Sequence, residues 1–557
     1  MLEDIRNLPD GTTVEFDLCI VGSGPVGLSL AREFIGSSIR VCVLESGGVE
    51  LDAMTQSLAA GESQGDRFVS LSRMRRRQFG GLSNAWNVQV EDYAQHGVRH
   101  APFEAIDFEK RDWLAYSGWP FPRDHLDPFY RRASDICGIG SLDYSADSWE
   151  ARLSKRLPFA GGELETTMFK FGPSIRFFGE GRAALEGASN VTVYLYANVL
   201  EIEASGNASE IVGLRVAALS GQHYAVKARR YILAAGAIEN ARLLLASNRV
   251  QKAGLGNGKD LVGRFFMDHP VIRTGFLFPY EQSAFATHAL YDMRYLDKLT
   301  VMGRLTFAEE TRRRQELLGF TTLLFPRTRR QQSPAHLAVR EFRQAMRERR
   351  IPTNAGKLVA DFAGNLDDFV LDYYKHAVCR DHLFPSLSRG GWSSQAGNEK
   401  RYEKFELTSQ TEQSPNPDNR ITLSQRRDRL GSNLPKLTVH WGASDKDSIH
   451  RAQAILVRQL AAVGLGRLEL ENIDNSVGLS LHHNMGTTRM HEDPSQGVVD
   501  PDGKVHGIAN LYIAGGSVFP TGSYANPTLT MIAMALRLAD HLKTSEPAGV
   551  PVFAQGR

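Results

Sequence analysis

Six residues near the N-terminus, Gly22-Ser23-Gly24-Pro25-Val26-Gly27, constrain this chain more than any other stretch of it. The apolar run Phe16 to Val21 leads into them. After the turn, Val26, Leu28, Leu30, Ala31, Phe34 and Ile35 recur at helical spacing, which predicts a helix with a broad apolar face. A second apolar run, Ile39 to Leu44, ends in Glu45. The order strand, turn, helix, strand predicts two parallel strands joined by a right-handed crossover. Each glycine has a steric task in such a turn: Gly22 allows the tight bend, Gly24 lets the backbone approach a pyrophosphate, and Gly27 lets helix and strand close up. The helix N-terminus then offers free N–H groups and a partial positive charge to the phosphates. Glu45 stands close to the spacing expected of an acceptor for ribose hydroxyls, and an acid there disfavours a 2′-phosphate. The reading is ADP-ribose recognition, by NAD or FAD rather than NADP; the plain alternative is a glycine-rich connection in an α/β domain.

Three further blocks stand out. Arg77-Gln78-Phe79-Gly80-Gly81-Leu82-Ser83-Asn84-Ala85-Trp86 sets paired glycines beside short polar side chains. That combination suits close approach to a flat polar ring or its phosphates; a tight turn with a packed Trp86 explains it equally well. Between 190 and 234, the runs Val191 to Ala204, Ile211 to Val216 and Tyr224 to Leu233 predict a three-stranded antiparallel meander. Ala234-Ala235-Gly236 follows, and then a helix over Ile238 to Ala246. Near the C-terminus, His482 and His483 precede Gly486-Thr487-Thr488-Arg489-Met490, and Asn526-Pro527 opens an apolar helix. Asn is a good helix N-cap and Pro suits the first turn, so Asn526 has a structural reading beside any chemical one.

The four cysteines, Cys19, Cys42, Cys137 and Cys379, are scattered and form no C-x-x-C pair. A disulfide framework and a protein-held iron–sulfur cluster are therefore disfavoured, and Cys19 and Cys42 read as buried thiols. A formal net charge of +2 points to no particular macromolecular partner, nucleic acid included. Eight arginines between Arg327 and Arg350 surround a helical stretch that Glu341 and Glu348 interrupt, which reads as a solvated face. No apolar run reaches the roughly 18–20 residues of a membrane-spanning helix. The charged N-terminus lacks an apolar signal core, so a cytoplasmic location is expected.

Taken together, the blocks resemble the glucose–methanol–choline (GMC) oxidoreductases, FAD-dependent alcohol and sugar oxidases and dehydrogenases, and within them the sugar-oxidising branch that contains pyranose oxidase. The resemblance rests on the Gly22–Gly27 turn with Glu45, the Gly80–Trp86 loop, Ala235 to Leu244, and His483-x-x-Gly486-Thr487 with Asn526-Pro527-Thr528. It implies an α/β, Rossmann-like FAD-binding domain assembled from residues 12–100, 190–270 and 480–545. It implies an α+β substrate domain on a six-stranded antiparallel sheet, from 101–189 and 271–479. His483 would be the catalytic base and Asn526 its partner. The cofactor-binding set implied is Gly22, Gly24, Pro25, Val26 and Gly27 with Glu45 and Ser46 at the nucleotide. Arg77, Gly80, Gly81, Ser83, Asn84, Ala85 and Trp86 would lie along the flavin, and Val199 at the adenine. Ala235, Gly236, Asn240, Gly516, Pro527 and Thr528 complete it. Pyranose oxidase tethers its flavin to a His where this chain has Ala85, so non-covalent FAD is expected.

The implied chemistry is oxidation of a secondary hydroxyl of a sugar, glycoside or sugar-like metabolite to a ketone, with O2 or a soluble acceptor taking the electrons. A non-sugar alcohol substrate, or a flavin-binding module without turnover, are the alternatives. A neutral imidazole suits removal of the hydroxyl proton because its ordinary pKa, about 6.5, lies near working pH. Asn526 can hold the oxygen without adding a competing charge.

Overall fold

The computed structural model describes residues 1–545 apart from 67, 329–332, 348–349, 353, 378–384 and 473–478. Its first layer grows from the N-terminal turn. Thr13–Val21 and Val41–Leu44 are parallel neighbours, with Leu18 opposite Val41 and Val21 opposite Leu44. They lie in an eight-stranded sheet ordered Leu2–Asp4, Val191–Leu195, Val41–Leu44, Thr13–Val21, His223–Leu233, Ile211–Ala217, Asn198–Ala204, with Leu511–Ile513 also paired to His223–Leu233. The helix Pro25–Glu33 packs over the parallel strands and against the C-terminal helix Thr528–Thr544. It ends two residues earlier than the apolar pattern predicts: Phe34 is buried beyond its end, and Ile35 is exposed. Cys19 and Cys42 face each other in register as buried free thiols; Cys379 lies outside the described residues.

The run Val191 to Ala204, read as one strand, is two. Tyr196 takes a left-handed backbone, φ 59°, and the turn there donates from the Tyr196 and Ala197 amides to the carbonyls of Gly47 and Glu45. Val191–Leu195 therefore joins the parallel sheet beside Val41–Leu44, and Asn198–Ala204 turns back to pair antiparallel with Ile211–Ala217.

The second layer is antiparallel throughout and has nine strands, not six. Its order is Gly466–Leu470, Pro270–Pro279, Lys404–Thr411, Phe320–Arg327, Leu299–Phe307, Leu164–Pro173, Gly97–His100; Arg294–Leu296 and Leu479–Ser480 pair at its side. Gly97–His100, counted by sequence with the nucleotide-binding region, belongs here because it pairs with Leu164–Pro173. The alternation of side chains splits this sheet's apolar residues between two cores. Phe169, Phe171, Met302, Leu323 and Phe325 join the core of the parallel sheet. Met168, Leu305, Phe320, Leu324 and Leu407 pack instead with Ile449, Leu456 and Leu460 of the helix Ala443–Val463. One face of the antiparallel sheet thus closes over the parallel layer.

In the basic stretch, Arg340 and Arg343 are exposed on the helix Pro334–Arg347, and Arg350 pairs with Glu341 at 2.7 Å. Arg329, Arg330 and Arg349 lie outside the described residues. No helix among the described residues is long and apolar enough to cross a membrane.

Candidate active site

A cavity of about 550 Å³ opens where the two layers meet, within the range of small-molecule sites. Gly22, Gly24, Pro25 and Val26 form one wall of it. Gly22 has φ +106°, and a Cβ on it would come within 2.8 Å of the Ala234 carbonyl oxygen. A Cβ on Gly27 would sit 1.9 Å from the Gly22 carbonyl oxygen, so this glycine lets helix meet turn and stays off the cavity wall. Gly24 is the opposite case: nothing lies within 4 Å of a Cβ built there, so its missing side chain leaves part of the cradle open.

Glu45 and Ser46 also line the cavity. The Glu45 carboxylate accepts from Ser23 N at 3.1 Å and Ser23 Oγ at 2.7 Å on one oxygen, and from Gly47 N at 2.8 Å and Ser46 Oγ at 3.2 Å on the other. Those donors match its four lone-pair directions. The acid expected to face a ribose therefore also staples the turn, and burial raises its pKa. Val199, Ala235, Gly236, Gly516, Pro527 and Thr528 line the same space.

The Gly80–Trp86 loop contributes Gly81, Ala85 and Trp86 to the wall; Trp86 also packs edge-on against Phe177 at 6.3 Å. Ser83 and Asn84, expected to face a ring, are spent on the loop itself. Ser83 Oγ donates to the Gly80 carbonyl at 2.6 Å, and Asn84 Nδ2 donates to the carbonyls of Phe79 and Gly81 at 2.8 and 3.0 Å. Gly80 takes φ +88° at the start of this turn, and its amide donates to the Ser23 carbonyl. Asn240 is likewise structural: it accepts from Ala235 N and donates to Ser517 Oγ, both at 3.0 Å, tying two cavity loops together.

Sequence reasoning named Arg77 but missed the charged cluster it belongs to in the wall. Arg75, Arg77 and Arg242 surround one carboxylate, Glu239, with Arg242 at 2.7 Å, Arg77 at 3.3 Å and Arg75 in direct contact. Burial would raise the Glu239 carboxyl, but Arg242, Arg75 and Arg77 outweigh it and hold it well below the usual carboxylate range. Three guanidiniums against one acid leave an excess of positive charge. Arg77 Nε and Arg242 Nη1 are buried with no hydrogen-bond partner among the described residues. Orphaned cationic donors beside an open glycine cradle fit a ligand carrying a diphosphate. Arg75 and Glu239 are 164 residues apart, so no local spacing announced them.

At the far end stand the two C-terminal candidates. His483 lines the cavity, and Asn526, only 4% exposed, lies against it, with Nδ2 3.1 Å from His483 Nε2. The bland reading of Asn526 as a helix cap fails: the helix starts at Thr528, and Pro527 occupies the cap position. Asn526 Oδ1 has no partner among the described residues. Gly486 explains the spacing of the histidine block. Its φ is +88°, and a Cβ would lie 2.0 Å from the Phe265 carbonyl oxygen, where Met267 and Met485 exchange backbone hydrogen bonds. Burial first, then the neighbouring His269, Arg99 and His482, push the His483 pKa well below the ordinary 6.5. The direction of that shift favours the neutral ring. His482 lines the cavity in a left-handed backbone, φ 65°, beside Arg73.

Residues 415–535 match the family described as GMC oxidoreductase. The chain is 39% identical over 115 residues to a C-glycoside 3-oxidase of Microbacterium trichothecenolyticum, covering 20% of this chain and 22% of that one. It is 26% identical over 323 residues to the fructose dehydrogenase large subunit of Gluconobacter japonicus, 57% and 48% of the two chains. These matches span between about a fifth and a half of the relatives' length. In fold, pyridoxine 4-oxidase from Mesorbium loti superposes over 96% of this chain and all of its own, with a TM-score of 0.53 at 15% identity. The match to the GMC oxidoreductase family thus covers residues 415–535, and the likeness in fold to pyridoxine 4-oxidase covers nearly the whole chain.

Proposed function

We propose that this GMC-type chain is an FAD-dependent oxidoreductase that converts a secondary hydroxyl of a sugar, glycoside or sugar-like metabolite into a ketone. The observation that carries the reading is the meeting, in one cavity, of a glycine cradle with cationic donors and the His483–Asn526 pair. Bound there, FAD supplies the acceptor for the hydride that leaves the carbinol carbon as its hydroxyl proton is removed. Gly24 and the N-terminus of Pro25–Glu33 would receive the diphosphate with Arg77 and Arg242, and Val199 the adenine. Ala85 and Trp86 would flank the ring, and Ala85 offers no nucleophile for a tether, which supports non-covalent binding. The 17-residue helix Thr528–Thr544 turns its N-terminus to the cavity, where its dipole favours negative charge.

His483 removes the hydroxyl proton at Nε2. Burial favours the neutral ring, and its Nε2 lone pair accepts from Asn526 Nδ2 until a substrate hydroxyl takes that place. Asn526 Nδ2, 3.1 Å from His483 Nε2, can turn an N–H to the substrate oxygen and hold it as the proton leaves. Relatives named for glycoside and fructose oxidation support a sugar-like substrate. A cytoplasmic location and O2 or a soluble carrier as acceptor belong to the same reading.

The test is anaerobic bleaching of the flavin against free sugars, O- and C-glycosides, aminocyclitols and simple alcohols, with the product identified by NMR. His483→Ala is expected to retain FAD and slow bleaching by about 10²-fold or more, the scale of a positioned base. Bleaching by simple alcohols alone would redirect the substrate class. A His483→Ala rate equal to the parent's would end the assignment of the base.

A further inference from the structure

The hydrogen bonds behind His483 can be given a direction one at a time. Gly522 offers only a carbonyl to His269 Nε2, 3.0 Å away. A carbonyl accepts and does not donate, so that ring nitrogen carries the proton. On the other side of the ring, Gln410 Nε2 is 3.1 Å from His269 Nδ1. The Gln410 amide cannot be reversed: its Oε1 accepts from Arg99 Nη2 at 3.0 Å, and its Nε2 also donates to the Tyr524 carbonyl. Arginine is donor-only, which fixes the amide. His269 Nδ1 therefore faces an N–H and is itself a lone pair. Burial holds this ring neutral, with its pKa pushed down to about 4.

His483 Nδ1 lies 2.9 Å from that lone pair and must be the N–H of the contact. The opposite tautomer would set two lone pairs against each other at 2.9 Å. The backbone is held too. Asp268 Oδ1 accepts from the amides of both His269, at 2.6 Å, and His483, at 3.0 Å.

We propose that His269 is a positioning residue: its Nδ1 holds His483 in the Nδ1–H tautomer, so that Nε2 carries the lone pair, which Asn526 Nδ2 faces at 3.1 Å until a substrate hydroxyl displaces it. This rests on the reading of His483 as the base. When His483 takes a proton at Nε2, its Nδ1–H bond to His269 becomes charge-assisted and shortens the list of ways the imidazolium can turn. Arg99 on the strand Gly97–His100, Glu412, Asp107, Asp268 and His482 are the charged and titratable groups around the two rings.

The experiment uses FAD-loaded protein with 15N-labelled histidine, His483 being assigned by the signals lost in His483→Gln. Nδ1 is expected protonated and Nε2 unprotonated from neutral to mildly alkaline pH; an Nε2–H signal overturns the proposal. In stopped flow, His269→Leu removes the acceptor, whereas His269→Asn leaves an oxygen where Nδ1 stood. Leu is expected to slow flavin reduction about 10²–10⁴-fold with an unchanged substrate dissociation constant, and Asn to restore most of the loss. Equal rates in the parent and His269→Leu, or equal losses in Leu and Asn, refute it. If His483→Ala also reduces at the parent rate, the base itself is misassigned. If His483→Ala is slow while His269→Leu is fast, only the positioning role falls. Should His269→Leu not fold, the tautomer measured in the unaltered protein decides.

Discussion

Two glycines three residues apart, Gly24 and Gly27, should fail in opposite ways. Gly24 has φ −68° and ψ 178°, extended backbone that any residue adopts, and a Cβ there touches nothing within 4 Å. Gly24→Val should therefore leave the empty protein as stable as the parent, because the new methyls project into the cavity and not into packed atoms. Their cost appears only when a ligand must share the space. Overpacking by a few carbons costs about 1–3 kcal/mol, which at about 1.4 kcal/mol per decade weakens FAD binding by roughly 5- to 150-fold. Gly27→Ala is the control. Its Cβ would stand 1.9 Å from the Gly22 carbonyl oxygen, about 1.5 Å inside ordinary contact. Backbone must move, so the empty protein itself should melt lower. Flavin-to-protein absorbance ratios after dialysis, FAD titration and melting curves without FAD separate the two. Parent-like FAD affinity in Gly24→Val, or a flavin-free melting point lowered as much as in Gly27→Ala, would refute the cradle.

Acid precipitation should release all of the yellow colour into the supernatant; colour kept in the pellet would mean a covalent tether despite Ala85. Glu239→Gln should strip the only carboxylate from among Arg75, Arg77 and Arg242, destabilising the flavin-free protein by about 3–5 kcal/mol and enlarging the melting-point gain on adding FAD. A flavin-free melt equal to the parent's would count against the cluster's role. His100 is buried, both ring nitrogens lack partners among the described residues, and burial pushes its pKa down to about 3. The folded value lies below the unfolded one, so the unfolded chain takes the proton first and stability present above pH about 6.5 drains away as pH falls toward 3. By pH 5 the loss is about 2 kcal/mol; denaturant titration should find it missing in His100→Leu, and an unchanged pH dependence would exclude His100 as its source.

Legibility in the sequence followed the range of the physics. The strand–turn–helix unit was readable because glycine sterics and apolar periodicity act over a few residues, and the parallel pairing of Thr13–Val21 with Val41–Leu44 follows from them. The break at Tyr196 was not readable: a non-glycine residue with φ 59° is tolerated there because Gly47 and Glu45 accept its turn's amides, a contact across about 150 residues. What Ser83 and Asn84 bond to was not readable for a related reason. Short polar side chains serve a ligand and a loop equally well, and only the fold shows that the loop takes them.

The chain's order of residues by itself determined the glycine turn between two parallel strands, since it is written in local backbone requirements; the antiparallel layer was expected only through the resemblance. Tertiary structure alone decided which atoms of His483 can act. His269 stands 214 residues from His483 and Gln410 another 141 from His269, and hydrogen-bond direction is a property of groups brought face to face, which no spacing along a chain encodes.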